Sequence, residues 1–431
     1  MMMFPPSVED FVPKGHLAHF VRDTTREELD LSAILDTYDE ARGYPPYHPV
    51  MMTALLLYAY CQGVYSSRRI AKACQERVDF MAVTAMQKPD FRTISDFRKR
   101  HLSALGDLFP QVLRLCQQAG LVKLGHVCLD GTKVKANASK HKAMSYGRMK
   151  RAEQELESIV RSWLDKAAAA DDREDEEFGT DRSGDELPDW VRDKQKRLEK
   201  IREAKAALEA EARAKEETEG DASGDESSKP KRGKAIKKPA GIPKDSAQRN
   251  FTDPESRIMK NHEGFVQAYS AQAAVDAESQ VIVGQALTNN ASDAQQLAPM
   301  VSQIKQNTGR QAQELSADAG YCSEDNLKEL KRRHIRGYVA TGRQKHGSSA
   351  AVRERKIKPG TLVAAMGRKL RRGSRRSRYR LRKQTVEPVF GQIKHARGFR
   401  QFLLRGMAKV SAEWAMVCTG HNLLKLAKAI G

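Results

Sequence analysis

The amino-acid sequence predicts an α/β protein: a mixed sheet flanked by helices, with an all-α N-terminal domain and a charged helical or disordered insert. Three observations support this prediction. Apolar residues at helical spacing dominate 1–120, strand-like segments alternate with helices over 121–431, and a highly charged stretch interrupts them at 139–250. We therefore predict a helical domain over 1–120 and an α/β domain over 121–431, interrupted by the insert at 139–250.

Helices account for the first 120 residues in this prediction. Pro49 is placed to open a helix, and the apolar run Val50–Cys61 follows it. The segment Ser67–Cys74 has the pattern of a second helix. Further on, Thr93 or Ser95 is predicted to cap an amphipathic run that ends in basic residues.

The first strand and the insert come next. A β-branched apolar run predicts a strand that ends at Asp130. Within the insert, Asp171–Asp189 holds ten acidic and two basic residues. Val191–Glu219 lacks Gly and Pro and has the charge pattern of a solvated or coiled helix. Ser228–Asp245 is basic and rich in Pro and Gly, which is typical of a linker.

Strands and helices return after the insert in a readable order. Two strands separated by Ala-Glu-Ser predict a hairpin, and a helix capped by Ser292 follows. Next come a short strand ending near Asp318, a helix starting from Ser323, another strand, and a helix over about Arg382–His395. This is the element order of the ribonuclease H-like fold, in which the ends of the first and fourth strands meet the last helix at one edge of the sheet.

The charge of the chain favours a polyanionic partner. The formal net charge is +20 and the pI about 9.6, in a sequence that is 40% hydrophobic with a mean hydropathy of −0.64. A basic excess of this size attracts nucleic acid, although a charged surface that only serves solubility is the alternative.

Six cysteines without a Cys-x-x-Cys pair indicate reduced thiols. The longest apolar stretch is about half a membrane span and no export signal is evident, so we expect a cytoplasmic protein away from membranes.

Three acidic residues fall at the places that this fold brings together: Asp130, Asp318 and Glu387. Asp130 precedes Gly131 at a predicted strand end, and Asp318 stands in the segment Ala-Asp-Ala-Gly at another. A few carboxylates from distant parts of a chain can hold two Mg²⁺ ions, which stabilise the attacking and leaving oxygens of phosphodiester transfer. Each acid also has a simpler interpretation: a turn at Asp130, a turn or N-cap at Asp318, and an exposed helical face at Glu387.

The predicted last helix carries further candidates. Pro388 has no N–H to donate and is expected to open or interrupt the helix. On α-helical spacing, Glu387, Gly391 and Lys394 share one face. That face would combine a carboxylate, a gap where a backbone can approach, and an ammonium group that binds phosphate.

A strongly basic stretch precedes this helix. Arg368–Lys383 holds ten basic residues among sixteen and no acid. We interpret it as an arm that grips DNA phosphates without reading sequence, whereas a basic linker without a specific role is the alternative. Arg397 and Arg400 continue the basic character around Phe399 and Phe402, which are expected in the core.

Several motifs resemble the DDE transposases of bacterial insertion sequences. They are CLDGTKVKANASKH, DPESRIMK, AVDAESQVIVGQALTNNASDAQQL, SADAGYCSEDNL and VEPVFGQIKHARGFRQFLLRG followed by EW. The segments YHPVMMTALLLYAYCQGVYSSRRIAKAC and FRTISDFRKRH resemble the N-terminal domain of that family, which implies a role for 1–120 in DNA binding or assembly. The resemblance covers nearly the whole chain except the insert.

The resemblance implies that Asp130, Asp318 and Glu387 form the catalytic and metal-binding triad, with two Mg²⁺ ions or Mn²⁺ in their place. The related signature Tyr-x₂-Arg-x₃-Glu-x₆-Lys is met by Glu387 and Lys394. Upstream the sequence departs from it, because a Lys stands at the Arg position and the nearest Tyr and Arg are each one place early. The predicted DNA contacts are Tyr379, Arg382, Lys383, Lys394, Arg397 and Arg400.

The activity implied by the resemblance is metal-dependent cleavage at element ends and strand transfer by the freed 3′-hydroxyl, without a covalent protein–DNA intermediate. The implied partners are double-stranded DNA, as terminal inverted repeats and as target, and further copies of the chain in a homo-oligomer on the nucleoid. Two alternatives stay open: a DNA nuclease of the same fold without strand transfer, and a non-enzymatic DNA-binding relic. The presence of all three acids argues against the relic.

Overall fold

The computed structural model of the chain describes residues 8–38, 47–178, 189–221, 241–261, 264–342, 359–373 and 377–430. The chain folds into two compact units: the first comprises Met1–Asn137, Met259–Asn261 and Ala268–Gly431, and the second comprises Ala138–Ile258 and His262–Gln267. The helices before residue 120 thus share the first unit with the sheet that follows them. The functional division into 1–120 and 121–431 stays a prediction.

Helices and strands are numbered here in chain order. The α-helices are α1 (Leu17–Glu27), α2 (Ser32–Leu35), α3 (Pro49–Cys61), α4 (Ser67–Glu76), α5 (Val78–Thr84), α6 (Phe91–Arg100), α7 (Leu102–Gly106), α8 (Leu108–Gln118), α9 (Tyr146–Phe178), α10 (Asp189–Asp221), α11 (Leu297–Thr308), α12 (Glu324–Arg332), α13 (Leu362–Gly373), α14 (Leu381–Gly391) and α15 (Met407–Ile430). The strands are β1 (His126–Lys135), β2 (Ala143–Ser145), β3 (Gln248–Asn250), β4 (Arg257–Asn261), β5 (Gly264–Asp276), β6 (Ile282–Thr288), β7 (Glu314–Ala317) and β8 (Arg336–Val339).

The N-terminal region is helical, as predicted. Helix α3 begins at Pro49, and the ring of His48 caps it by accepting a hydrogen bond from the backbone two residues on. Helix α6 begins one residue after Asp90, whose carboxylate accepts from the backbone N–H groups two and three residues on. The prediction that Thr93 or Ser95 caps this helix is therefore wrong, because an Asp three or more residues earlier already satisfies the free N–H groups.

The six-stranded sheet has the order β4-β5-β1-β7-β8, and β6 also pairs with β5. Strand β1 is antiparallel to β5 and parallel to β7, and β7 is parallel to β8. The sheet is therefore mixed, helices flank it, and the antiparallel β5–β6 pair is the predicted hairpin. These features agree with the ribonuclease H-like fold expected from the element order.

Strand β1 is longer than predicted. It continues five residues past Asp130, to Lys135, because this half of the strand pairs with β5 from Ala273 back to Ala268. Its pairing with β7 is shorter and ends with Leu129 opposite Ala317. The expected strand end at Asp130 is thus an end of the parallel pairing only.

The second unit contains more regular structure than the predicted insert. Helix α10 confirms the charged helix, whereas α9 was not foreseen. The two helices pack on each other around buried apolar side chains, which are Tyr146, Met149, Leu156, Leu198, Ile201, Ala204 and Leu208. Strands β2 and β3 pair antiparallel beside them. Most of the predicted acidic run and linker lies outside the described residues.

The long C-terminal helix α15 completes the core of the first unit by packing on α3, α7, α8 and β6. Trp414 is fully buried there and donates from its indole N–H to the carbonyl of Gln272 on β5, 3.1 Å away. Phe399 and Phe402 are buried as predicted. All six cysteines are free in the structure and five are buried. Within the described part of the chain, no helix has both the length and the apolar character needed to cross a membrane.

Candidate active site

Two of the three predicted acids lie side by side because of strand register. The parallel pairing of β1 with β7 ends with Leu129 opposite Ala317. Asp130 is the next residue on β1 and Asp318 the first residue after β7, and neighbouring strands are about 4.8 Å apart. The backbone pairing therefore places two carboxyl groups from distant parts of the chain at one edge of the parallel strands.

The carboxylate of Asp130 is enclosed and bonded on both oxygens. Its Oδ1 accepts from the N–H of Gly131 at 2.9 Å, and its Oδ2 lies 2.6 Å from Nη2 of Arg382. Both side chains of this ion pair are only 13% exposed. The pKa of Asp130 is raised to about 6: burial is the main cause, Arg382 offsets part of it, and the charge of Asp318 adds to it. Repulsion between the two aspartates makes this edge a place where a cation is favoured.

Asp318 has a structural task as well as a place at this edge. It follows β7 and caps a short 3₁₀ turn, Ala319–Tyr321, by accepting from the N–H of Gly320 at 2.8 Å. The N-cap that sequence alone offered as the simpler interpretation is thus present. It does not compete with a role at the site, because the capping bond uses one lone pair of one carboxylate oxygen.

Tyr379 and Arg382 reach the site together. Tyr379 lies in a 3₁₀ turn just before α14 and is buried, and its hydroxyl accepts from Nη1 of Arg382 at 3.3 Å. Arg382 in turn holds Asp130. In the protein these two predicted DNA contacts are therefore occupied with each other and with an aspartate, in a chain of hydrogen bonds at the sheet edge.

The helix that carries Glu387 has two irregularities. Pro388 lies inside α14: it does not open the helix but interrupts its hydrogen bonding, which is the second of the two predicted outcomes. The carbonyl that loses its helical partner belongs to Gln384, and it accepts instead from Nε2 of Gln280 at 3.0 Å. After Gly391 the helix widens into a π-turn over Gln392–Ala396. The α-helical spacing that put Glu387 and Lys394 on one face does not hold past this point.

Glu387 itself is exposed on α14. No hydrogen bond or ion pair joins its carboxylate to another of the described residues, so the structure does not bring it into contact with Asp130 or Asp318. Likewise, across the described ranges no group of three or more His, Cys, Asp or Glu is arranged to hold one metal ion. The structure assembles two of the three predicted ligands.

The remaining predicted DNA contacts differ in their surroundings. Lys394 donates from Nζ to the carbonyl of Lys133 on β1, at 2.8 Å. Lys383 is exposed, and Arg400 is exposed with Nη2 3.3 Å from a ring nitrogen of His395. Arg397 is different.

The guanidinium of Arg397 points inward, 3.3 Å from a ring nitrogen of the buried His421, and burial lowers the pKa of Arg397. Its assignment as a DNA contact does not fit this position, because a phosphate could not reach an enclosed group. Basic and aromatic residues alternate in this segment, and this pattern alone does not show which basic side chains point inward.

A fourth acid at this edge was missed. Asp293 was passed over because Ser292 was expected to cap the next helix, but α11 begins only after Gln296 and without a side-chain cap. The carboxylate of Asp293 turns towards the sheet and accepts from Nε2 of Gln272 at 2.8 Å. The available signal was its place in a polar run directly after a strand of the sheet.

Comparison with known proteins adds two matches to this geometry. Residues 6–100 match a family model described as Transposase domain (DUF772), and residues 238–423 match one described as Transposase DDE domain. The second match contains Asp318 and Glu387, whereas Asp130 lies between the two matches. Searches of curated proteins and of solved structures found no significant match.

Proposed function

We propose that this chain, which belongs to the DDE transposases of insertion sequences, cleaves DNA at the ends of its element and joins the freed 3′-hydroxyl to target DNA. The observation that carries the proposal is the pair of aspartates at the end of the β1–β7 pairing, one from each side of the long insert. The alternative is a nuclease of the same fold that cleaves without joining.

The residues at this edge suit a divalent metal, on which the family generally depends. Mg²⁺ is usually held by one or two carboxylates together with water and substrate phosphate. Asp130 and Asp318 offer two carboxylates whose mutual repulsion a cation would relieve. We propose Glu387 as the third ligand, with two Mg²⁺ ions, or Mn²⁺, bound. When bound, the metal would stabilise charge on the attacking and leaving oxygens of the phosphodiester.

The chain's own groups would orient the acids and the DNA. Arg382 holds one oxygen of Asp130, and Tyr379 in turn accepts from Arg382, so the carboxylate has a fixed direction. We propose that the exposed Lys383 and Arg400 contact phosphates, with Lys394 nearer the reacting bond. Arg382 would also face the DNA once it is bound at this edge.

The helices over 1–120 are proposed to bind element ends or to assemble copies of the chain. Exposed basic side chains on α4 and α6 suit the phosphate backbone, and they include Arg68, Lys72, Arg92 and Lys99. We propose that the working form is a homo-oligomer on double-stranded DNA, located on the nucleoid in the cytoplasm.

The deciding experiment uses a labelled DNA fragment carrying the two ends of the element, together with an unlabelled target plasmid and Mg²⁺. A transposase yields labelled ends covalently joined to the plasmid. If the ends are cleaved but not joined, under conditions where both ends are held together, the result supports the nuclease and contradicts the transposase. If DNA is retained without any cleavage, the result supports a non-enzymatic DNA-binding relic. Inverted repeats flanking the coding region supply the substrate and are themselves expected.

A further inference from the structure

Asp293 lies near both segments that carry the two aspartates, and no sequence motif indicated this. A Cβ atom added at Gly320 would lie 3.0 Å from Oδ1 of Asp318 and 3.4 Å from Oδ2 of Asp293. A Cβ added at Gly131, the residue after Asp130, would lie 3.1 Å from Oδ1 of Asp293. The carboxylate of Asp293 is therefore a neighbour of both backbone segments that present the proposed metal ligands.

The carboxylate is held firmly on one side only. Its Oδ1 accepts from Gln272 Nε2 at 2.8 Å, Ser270 Oγ at 3.2 Å and Lys133 Nζ at 3.3 Å. Gln272 and Ser270 are fully buried on β5, and the hydroxyl of buried Tyr321 donates to Oε1 of Gln272. Among the described residues no hydrogen-bond donor reaches Oδ2, the oxygen that lies beside Asp318.

This arrangement ties three parts of the sheet edge together. Lys133 follows Asp130 on β1, Gln272 lies on the neighbouring β5, and Tyr321 follows Asp318 in the turn after β7. Each is bonded to Asp293 either directly or through Gln272. A charged acceptor with three donors makes strong and directional contacts in this partly buried place, so it fixes the spacing of the segments that it joins.

Two glycines near the aspartates fit the same interpretation: Gly131, one residue after Asp130, and Gly320, two residues after Asp318. A Cβ at Gly131 would meet Gln272 Nε2 at 2.5 Å, and one at Gly320 would crowd Oδ1 of Asp318 at 3.0 Å and touch Oδ2 of Asp293 at 3.4 Å. Neither glycine has a positive φ, so backbone freedom does not explain them. The close approach of Gln272 and Asp293 explains Gly131, and the close approach of Asp318 explains Gly320.

We propose that Asp293 is a positioning residue of this site, an inference that rests on the proposed function. Its fixed carboxylate sets the separation of Asp130 and Asp318, and its free oxygen adds the negative charge that favours a divalent cation beside them. Asp293 is thus a partner of the ligands and not one of the family triad.

The test compares Asp293→Asn with wild type in the full-length chain, by cleavage of element-end DNA and by Mn²⁺ binding followed by electron paramagnetic resonance. The amide keeps the size of the side chain but removes its charge. We expect Mn²⁺ affinity to fall by about 10–100-fold, as for other residues that orient metal ligands. Cleavage should fall at limiting Mg²⁺ and recover partly at high Mg²⁺, while the melting temperature and the Kd for DNA stay near wild type.

Two further variants make the result decisive. Asp325→Asn is the matched control, since its side chain is 92% exposed, and it should leave Mn²⁺ binding unchanged. Ser270→Ala keeps every acid and removes one donor from Oδ1 of Asp293, so it should weaken Mn²⁺ binding by loosening that carboxylate; it decides the matter if Asp293→Asn does not fold. Wild-type Mn²⁺ affinity in the Asp293 variant, or in Ser270→Ala in its place, overturns the inference. A wild-type protein that neither binds Mn²⁺ nor cleaves element ends overturns the proposed function instead.

Discussion

The candidate site has residues on strands and residues on a helix, and the two sets are positioned by different interactions. Asp130 and Asp318 lie on β1 and at the end of β7, where the register of one parallel pairing puts them together. Glu387 and Lys394 lie on α14 and in the π-turn that follows it. Their directions depend on the phase of the helix, which backbone pairing to a neighbour does not set.

The difference shows from which kind of element a sequence pattern predicts the position of a side chain. A strand residue is located by hydrogen bonds to the next strand, so a slip of one residue would turn every side chain to the other face. A helical residue is located by counting turns, and one π-turn changes the count for everything beyond it. Backbone pairing therefore brings the strand acids together, whereas Glu387 is exposed.

The largest expected effect comes from the strand pair. Replacing Asp130 or Asp318 by Asn should reduce cleavage of element ends by about 10³-fold or more, since the metal supplies several kcal/mol to the transition state. Retention of DNA should change little. The measurement is single-turnover cleavage together with a gel-shift titration. Cleavage near the wild-type rate in either variant would remove the strand pair from the site.

Glu387→Gln is expected to come next, with cleavage lower by about 10²-fold, because a helix-borne ligand adds to a site already begun by the strand pair. Glu278→Gln provides the control: this exposed glutamate lies in the β5–β6 turn, beside the start of the β1–β7 pairing, whereas Asp130 follows the end of that pairing. If the Glu387 variant cleaves no more slowly than the Glu278 variant, Glu387 is an ordinary surface residue. The site would then consist of the strand acids without a helical ligand.

Much of the fold followed from the sequence because local pattern and turn chemistry agree there. The hairpin of β5 and β6, the cap of α12 at Ser323 and the strand before Asp318 were all located correctly. The long-range contacts were not. Nothing in the sequence near Arg382 shows that it faces Asp130, and the inward direction of Arg397 depends on packing against α15.

A smaller effect concerns the bond between the two parts of the site. Arg382 lowers the pKa of Asp130, which stands at about 6, so Arg382→Gln should raise that pKa by about one unit or more in the metal-free protein. Arg382→Lys keeps a positive charge and should raise it less. The measurement is a ¹³C NMR titration of the Asp130 carboxyl with Asp130→Asn for assignment. A pKa unchanged by Arg382→Gln would mean that the helix leaves the strand acids undisturbed.

The smallest expected effect tests which contacts fix the rotation of α14 about its axis. The carbonyl of Gln384 lacks a helical partner because of Pro388 and accepts from Gln280 instead. Pro388→Ala supplies the missing N–H, so it should stabilise the fold by about 1 kcal/mol. Gln280→Ala should destabilise the wild-type protein by a similar amount, and destabilise the Pro388→Ala protein less.

Denaturant unfolding of the four proteins gives the coupling free energy of this cycle. A coupling near zero would show that Gln280 does not replace the lost helical bond, and that α14 is oriented by its buried apolar side chains alone. A clear coupling with unchanged cleavage would show that the proline is a local irregularity only. A clear coupling with slower cleavage would instead mean that the interrupted helix sets the direction of Glu387, so that a side chain bonded to the helix backbone positions the helical part of the site, as backbone pairing positions the strand part.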